Sequence, residues 1–406
     1  MQNTKPASLI VIILLMGVLT LTPVLSSITE TAVIGSTGTI ASESNPSEIT
    51  AQSGSPGHIQ AAVNQMAAAG GGTVRIPEGT FNFNDETVDI PGGVNVIGAG
   101  IGKTILQQTK AMPFHTMFYL ESKNGKPIRI SGIEFRGLVT SNDRTGSHAG
   151  NAIEIFRGTD IRIDHNKFID FPDSAIWVGN YYTDIPQPKC VIDHNIIDNP
   201  YKDTVGGIWG YGIEVIGPAG QSFPDITQFL GKYETIPSRY PVAYIEDNVI
   251  SRTRHAIASN QGGWYVARYN SISQGRPAGY GYIDVHGANQ ASVGGRGLEA
   301  YNNQLNGNSI AGALGFAMRG GGGAIYDNTF SNFQDAIRIL RDNDYAIIPL
   351  SQLYIWSNNF VNTDNQINNY DHVYDQNVHY FLREPNQAQD GFTYTPYPYP
   401  HPLTTS

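Results

Sequence analysis

The 406-residue sequence predicts an all-β solenoid, a parallel β-helix closed at its N-terminal end by one capping helix. Three observations lead there. A segment of the form apolar-x-apolar-x-x-Asn-x-apolar recurs as IRIDHNKF, CVIDHNII, AYIEDNVI, YVARYNSI, LEAYNNQL, GAIYDNTF and LYIWSNNF. Between these segments lies a second short apolar strand: NAIEIFRG, DSAIWVGN, YGIEVIG, RHAIASN, GYIDVHG and DAIRILRD. The composition, with 45 glycines and 15% charged residues, suits turns and strands better than helices. The aligned residues Asn166, Asn195, Asn248, Asn270, Asn303, Asn328 and Asn358 are spaced by 29, 53, 22, 33, 25 and 30 residues. One such unit cannot bury its apolar face alone, whereas stacked units can. Coils then rise by about 4.8 Å, with the asparagines laddered at a turn.

In chain order, the apolar run Leu9–Leu25 reads as a signal peptide or an N-terminal membrane anchor. Residues 26–53 are a Ser/Thr-rich linker. Ser55 as N-cap and Pro56 at the first helical position open a helix over 56–69. It carries Ile59, Val63 and Met66 on one face and stops at Gly70. The solenoid domain spans 54–380. The Pro/Tyr-rich segment 381–406 cannot supply another coil, and is expected to lie outside the solenoid or move freely, adding little stability. The single cysteine, Cys190, leaves no internal disulfide, so packing must hold the chain together. A net charge of −10 argues against nucleic acid as partner.

The stretch IQAAVNQMAAAGGGTVRIPEGTF followed by VNVIGAGIGKTIL resembles the start of single-stranded right-handed parallel β-helix proteins of the pectin-lyase-like superfamily. The resemblance covers roughly residues 54–380 and implies a right-handed coil. It also implies a secreted or cell-surface location and a polysaccharide or surface glycan as partner. The superfamily includes polysaccharide lyases, glycoside hydrolases, epimerases, tailspikes and adhesins, so the fold does not choose among them. IRIDHNKF and CVIDHNII also resemble the v-W-i-D-H motif of pectate lyases, although the repeat itself explains D-H-N. The polygalacturonase set of N-T-D, D-D, G-H-G and R-x-K segments is not present as a whole.

Period-two alternation predicts which side chains face outward. On the second strand of each unit one outward column runs Glu154, Trp177, Glu214, Ala258, Asp284 and Arg338. Its neighbour includes Asn260 and His286. Glu214 and Asp284 lie two coils apart, near the spacing at which two carboxyls flank a sugar bond. Asp284 beside His286 suggests a general base. The insertions 199–207 and 218–241 are expected to wall this face. RTRHAIASNQGGWYVARYN adds Arg254, with His255 either buried or in the site, and Arg268. Arg296 and Glu299 on the next coils would complete a basic cluster suited to a uronate.

On the other face the outward column runs Asp164, Asp193, Glu246, Arg268, Tyr301, Tyr326 and Trp356. Its acids could hold Ca²⁺ and its aromatics could stack on sugars. These readings make a lyase or hydrolase acting on an anionic polysaccharide the leading function, with a lyase favoured. A non-catalytic, adhesin-like glycan binder is the alternative.

Overall fold

The computed structural model describes residues 47–110, 116–138, 150–199, 210–218, 225–275, 280–287, 294–341 and 350–405. The apolar run Leu9–Leu25 and most of the 26–53 linker lie outside them. Among the described residues no helix is long and apolar enough to cross a membrane.

The chain winds through three parallel sheets. The first has twelve strands, from Glu48–Thr50 to Tyr380–Phe381. The second has ten, from Val88–Pro91 to Asn365–Asn369, and the third ten, from Gly79–Asn82 to Asn359–Val361. Each coil therefore holds three strands where the repeat suggests two. The Asn-containing segment bends at its asparagine, so that Ile161–Asp164 belongs to the first sheet and Lys167–Ile169 to the third. The residue before each asparagine takes a left-handed conformation, for example His165 (φ 53°), His194 (φ 53°) and Asp247 (φ 57°). That single residue turns the corner, and polar types tolerate it best.

The buried asparagines form the expected ladder. The side-chain amide of Asn166 donates to Asn195 at 3.2 Å, Asn195 to Asn248 at 3.1 Å, and Asn248 to Asn270 at 3.0 Å; the series continues to Asn358. Each amide also donates to a backbone carbonyl, as Asn166 does to Ile130. The turn thus leaves no amide unsatisfied in the interior.

Inside the coils, Ile153, Ile155, Ile176, Val178, Ile213 and Val215 are buried as alternation requires. Phe135 stacks on Phe168 at 5.2 Å and nearly parallel (4°). The helix Pro56–Ala68 closes the N-terminal end with Ile59, Val63 and Met66 buried.

A second apolar layer covers the outer face of the first sheet, and it corrects two expectations. Ile226, Leu230, Tyr233, Ile236 and Tyr240, from the insertion before the strand Val242–Glu246, pack on Val191, Tyr244, Trp264 and Val266. This part of the insertion roofs the first sheet and does not wall Glu214; residues 200–209 and 219–224 lie outside the described residues. The C-terminal segment is not a free tail either. Tyr394 is buried against Tyr326 and Trp356, and His401 packs on Tyr244 at 4.6 Å. Proline prevents this segment from forming a coil, yet leaves its aromatic side chains free to bury area.

Candidate active site

The first-sheet column has the expected order: Asp164, Asp193, Glu246, Arg268, Tyr301, Tyr326 and Trp356 align strand by strand. Its environment is not the expected one. Arg129 grips Asp164 with two hydrogen bonds of 2.7 Å, and Arg162 grips Asp193 at 2.9 and 2.8 Å. Arg268 donates to Glu246 at 2.7 Å, to the Tyr301 hydroxyl at 2.7 Å, and to the carbonyls of Tyr397 and Pro398. Burial opposes the charge on Asp164, but hydrogen bonds from Arg129 and His165 outweigh it and hold the pKa below the ordinary carboxylate value.

The acids expected to hold Ca²⁺ are therefore neutralised by arginines. Among the described residues no group of three or more His, Cys, Asp or Glu could hold a metal ion. Tyr301, Tyr326 and Trp356 stack on one another at 4.8 and 4.4 Å. Tyr394 covers Tyr326 and Trp356 edge-on and Tyr301 is itself buried, so they form no open sugar platform. Arg296 lies over Trp264 at 5.6 Å. Glu299 accepts from the Gly231 amide and the Tyr394 hydroxyl, with its pKa pushed up to about 7 by burial. Arg268, Arg296 and Glu299 thus belong to this covered layer and are separated from Arg254. The chain passes from one sheet to another within each coil, so residues close in sequence end on different faces.

The second sheet carries the candidate site. Register pairs Asp89 with Tyr119, Tyr119 with Glu154, Glu154 with Trp177, Trp177 with Glu214, Glu214 with Ala258, and Ala258 with Asp284. The column read from alternation is the one observed. Asp284, however, is only 1% exposed and is held by Arg319 through two hydrogen bonds of 2.9 and 2.7 Å. Burial would favour its neutral form, but Arg319 overrides this and lowers its pKa. Asp284 is an ionised partner of Arg319 and is unsuited to proton transfer.

Glu214 is its opposite. Its carboxyl is buried, makes no hydrogen bond or ion pair among the described residues, and has a pKa well above the ordinary value. Burial is the chief cause, followed by repulsion from Asp173. Asp173, at the start of the strand Ser174–Val178, is itself raised to about 7 by burial and by Glu154. Burial likewise raises Glu154 to about 7. Three carboxyls therefore gather on one patch, and among the described residues Glu154 and Glu214 lack the arginine clamp seen on the first sheet. Sequence reasoning placed Glu154 in the outward column without a role and missed Asp173, whose FPDS context reads as a turn.

Around this patch Arg254 lies between the rings of Tyr211 (5.5 Å) and Tyr280 (4.6 Å). His255 takes the buried alternative. Its Nδ1 donates to the Gly281 carbonyl at 2.5 Å, Nε2 has no partner, and burial lowers the pKa to about 4. It is a neutral imidazole at physiological pH. His286 is half-buried and donates through Nδ1 to the Gly287 carbonyl at 2.7 Å. Asn260 stands beside Ile216 on the next coil and accepts from the Gln261 amide.

Trp177 is covered edge-on by Tyr181 at 5.8 Å. The left-handed Gly179 (φ 122°) sits against the Ile216 carbonyl, where a Cβ would clash. Beyond it, Asn180 donates to the Phe156 carbonyl and accepts from Gln187 and the Tyr182 amide. These bonds return Tyr181 and Tyr182 to the sheet face.

Three parallel sheets wound by one chain define a single-stranded right-handed parallel β-helix, the fold of the pectin-lyase-like proteins. An alginate lyase from Paenibacillus sp. str. FPU-7 superposes with a TM-score of 0.52 at 15% identity, covering 79% of this chain and 99% of that one. A hyperthermoactive exopolygalacturonase from Thermotoga maritima gives 0.51 at 13% identity, covering 81% and 84%. At these identities the likeness is one of fold. No family model matches the sequence, and no curated protein matches it.

Proposed function

We propose that this protein is an exported polysaccharide-cleaving enzyme whose site lies on the outer face of the second sheet, with Glu214 as general acid. One observation carries the reading: a buried carboxyl with no hydrogen bond among the described residues and a pKa well above the ordinary value, beside two further carboxyls that burial also raises. Neighbouring carboxyls that repel one another do not all ionise together, which leaves one as acid and another as base. In this reading Glu214 protonates the glycosidic oxygen, Asp173 modulates that proton, and Glu154 acts as base toward water. Glu154 and Glu214 stand two coils apart, about 9–10 Å between backbones, a separation that leaves room for a water in an inverting hydrolysis. Trp177 and Tyr181 supply apolar area against a sugar face. The apolar run Leu9–Leu25 supports export.

A second reading, elimination from a uronate, is favoured by Arg254, whose guanidinium acts electrostatically on Glu214 and would neutralise a substrate carboxylate. A polysaccharide panel separates the two. New reducing ends without an unsaturated product indicate hydrolysis, an ultraviolet-absorbing unsaturated end indicates elimination, and retention without cleavage indicates binding only. Glu214→Gln should abolish whichever activity appears; full activity in that variant would move the site elsewhere.

A further inference from the structure

The column of the second sheet does not stop at Glu154. It continues through Tyr119 to Asp89, beside a groove of about 770 Å³ between the capping helix and the first coils. Gln60 fixes the helix to this edge. Its amide nitrogen donates to Asn64 Oδ1 and to the Asp89 carbonyl, and its oxygen accepts from the Asp89 amide. Asn64 is thereby oriented with its own nitrogen uncommitted. The Asp89 carboxyl and the Tyr119 hydroxyl likewise make no hydrogen bond among the described residues. The nearby cations are engaged: Lys123 and Arg157 both contact Glu121, at 2.9 and 2.8 Å.

An amide donor, a carboxylate that can accept from two hydroxyls, and a phenol beside an aromatic ring form a recognition set for adjacent sugar hydroxyls. Among the described residues that line the groove, a uronate would face Asp89 and Glu121, and Lys123 is already engaged by Glu121. Aromatic rings join the groove to the carboxyl patch. Tyr119 contacts Phe156 at 5.3 Å, and Phe156 contacts Tyr182 at 5.9 Å, next to Tyr181 over Trp177. Tyr119 and Glu214 lie three coils apart, about 14 Å.

We propose that this groove is a distal saccharide-binding site, specific for an uncharged, hydroxyl-rich sugar unit of the same chain that is cut beside Glu214. The assignment rests on the reading of Glu214 given above, and it makes the protein a recogniser of extended chains. Two linked contacts on one ligand raise affinity only when the ligand spans both.

The test is calorimetric titration of the full-length Glu214→Gln chain with gluco-, manno-, xylo- and galacto-oligosaccharides of increasing length. For at least one series, affinity should rise about tenfold, roughly 1.4 kcal/mol, once the ligand can span three coils. Asn64→Ala and Asp89→Asn, both exposed substitutions, should each remove most of that rise. No rise in any series, or a rise that both substitutions leave intact, overturns the groove. An equal rise with oligogalacturonates or oligomannuronates overturns its preference for uncharged units. Cleavage by wild type and its loss in Glu214→Gln are scored separately. A chain that cleaves nothing but shows the length-dependent gain keeps the groove and sinks the hydrolase reading.

Discussion

Two faces of this solenoid carry columns of carboxylates on the same scaffold, and they solve the problem of those charges in opposite ways. On the first sheet Asp164, Asp193 and Glu246 each meet an arginine at 2.7–2.9 Å. The roof of residues 225–241 and 387–405 then closes over the pairs at Glu246 and Arg268. On the second sheet Glu154 and Glu214 have no such clamp among the described residues, and burial raises their pKa values together with that of Asp173. Buried acids with good partners are structural, and their removal leaves an unpaired charge behind. Buried acids without partners cost stability and persist where chemistry needs them.

The same substitution should therefore have opposite effects on the two faces. Glu246→Gln removes the charge partner of Arg268 and weakens the acceptor for the His401 amide. It should destabilise the protein by about 3–5 kcal/mol, read as a clear fall in melting temperature at neutral pH. Glu214→Gln breaks no bond within the protein, so its melting temperature at pH 7.5 should be unchanged or higher. Its activity should fall by at least about 10²-fold. Equal destabilisation by both would erase the distinction.

The pH dependence sharpens the contrast. Glu154, Asp173 and Glu214 bind protons more tightly folded than unfolded, so the stability they contribute is fully present below the unfolded values of 4.5 and 3.8. It is lost as pH rises through folded values of about 7 for Glu154 and Asp173, and through the raised value of Glu214. His255 acts in the other direction, since a folded pKa of about 4 against 6.5 unfolded costs stability as pH falls through that window. Three groups oppose one, so the melting temperature should decline from pH 5 to pH 8, and the decline should flatten in Glu214→Gln. A melting temperature that climbs over that range would refute the assignment of raised carboxyls.

How much of this was legible in the sequence follows from what each signal depends on. The coils, the Asn ladder and the register of both columns depend on local alternation, and they were read correctly down to Glu214 beside Ala258 and Asp284. Burial of the outer faces was not legible. It depends on Tyr394, Tyr397 and His401 returning across 95, 129 and 155 residues to Glu299, Arg268 and Glu246. The Arg319 clamp was hidden for a related reason. Arg319 follows the strand Leu314–Met318, one coil beyond Asp284, in a glycine-rich segment without a charge pattern. Alternation says which way a side chain points, and says nothing of what comes to meet it.

Asp284 gives the finest test, because it stands on the second sheet with Glu214 yet is clamped like the acids of the first. It is ionised against Arg319, and its negative charge is one of the influences that raise Glu214. Asp284→Asn removes that charge and leaves the Arg319 guanidinium without its counter-charge. Both changes favour the ionised form of Glu214, so its pKa should fall. The alkaline limb of the activity profile, where the general acid loses its proton, should then move to lower pH, by a fraction of a unit. The maximal rate should change far less than in Glu214→Gln, because Asp284 transfers no proton in this scheme. Loss of activity at every pH in a folded Asp284→Asn chain would instead make Asp284 itself catalytic. An unmoved limb would mean that the acid titrating in the profile is not Glu214.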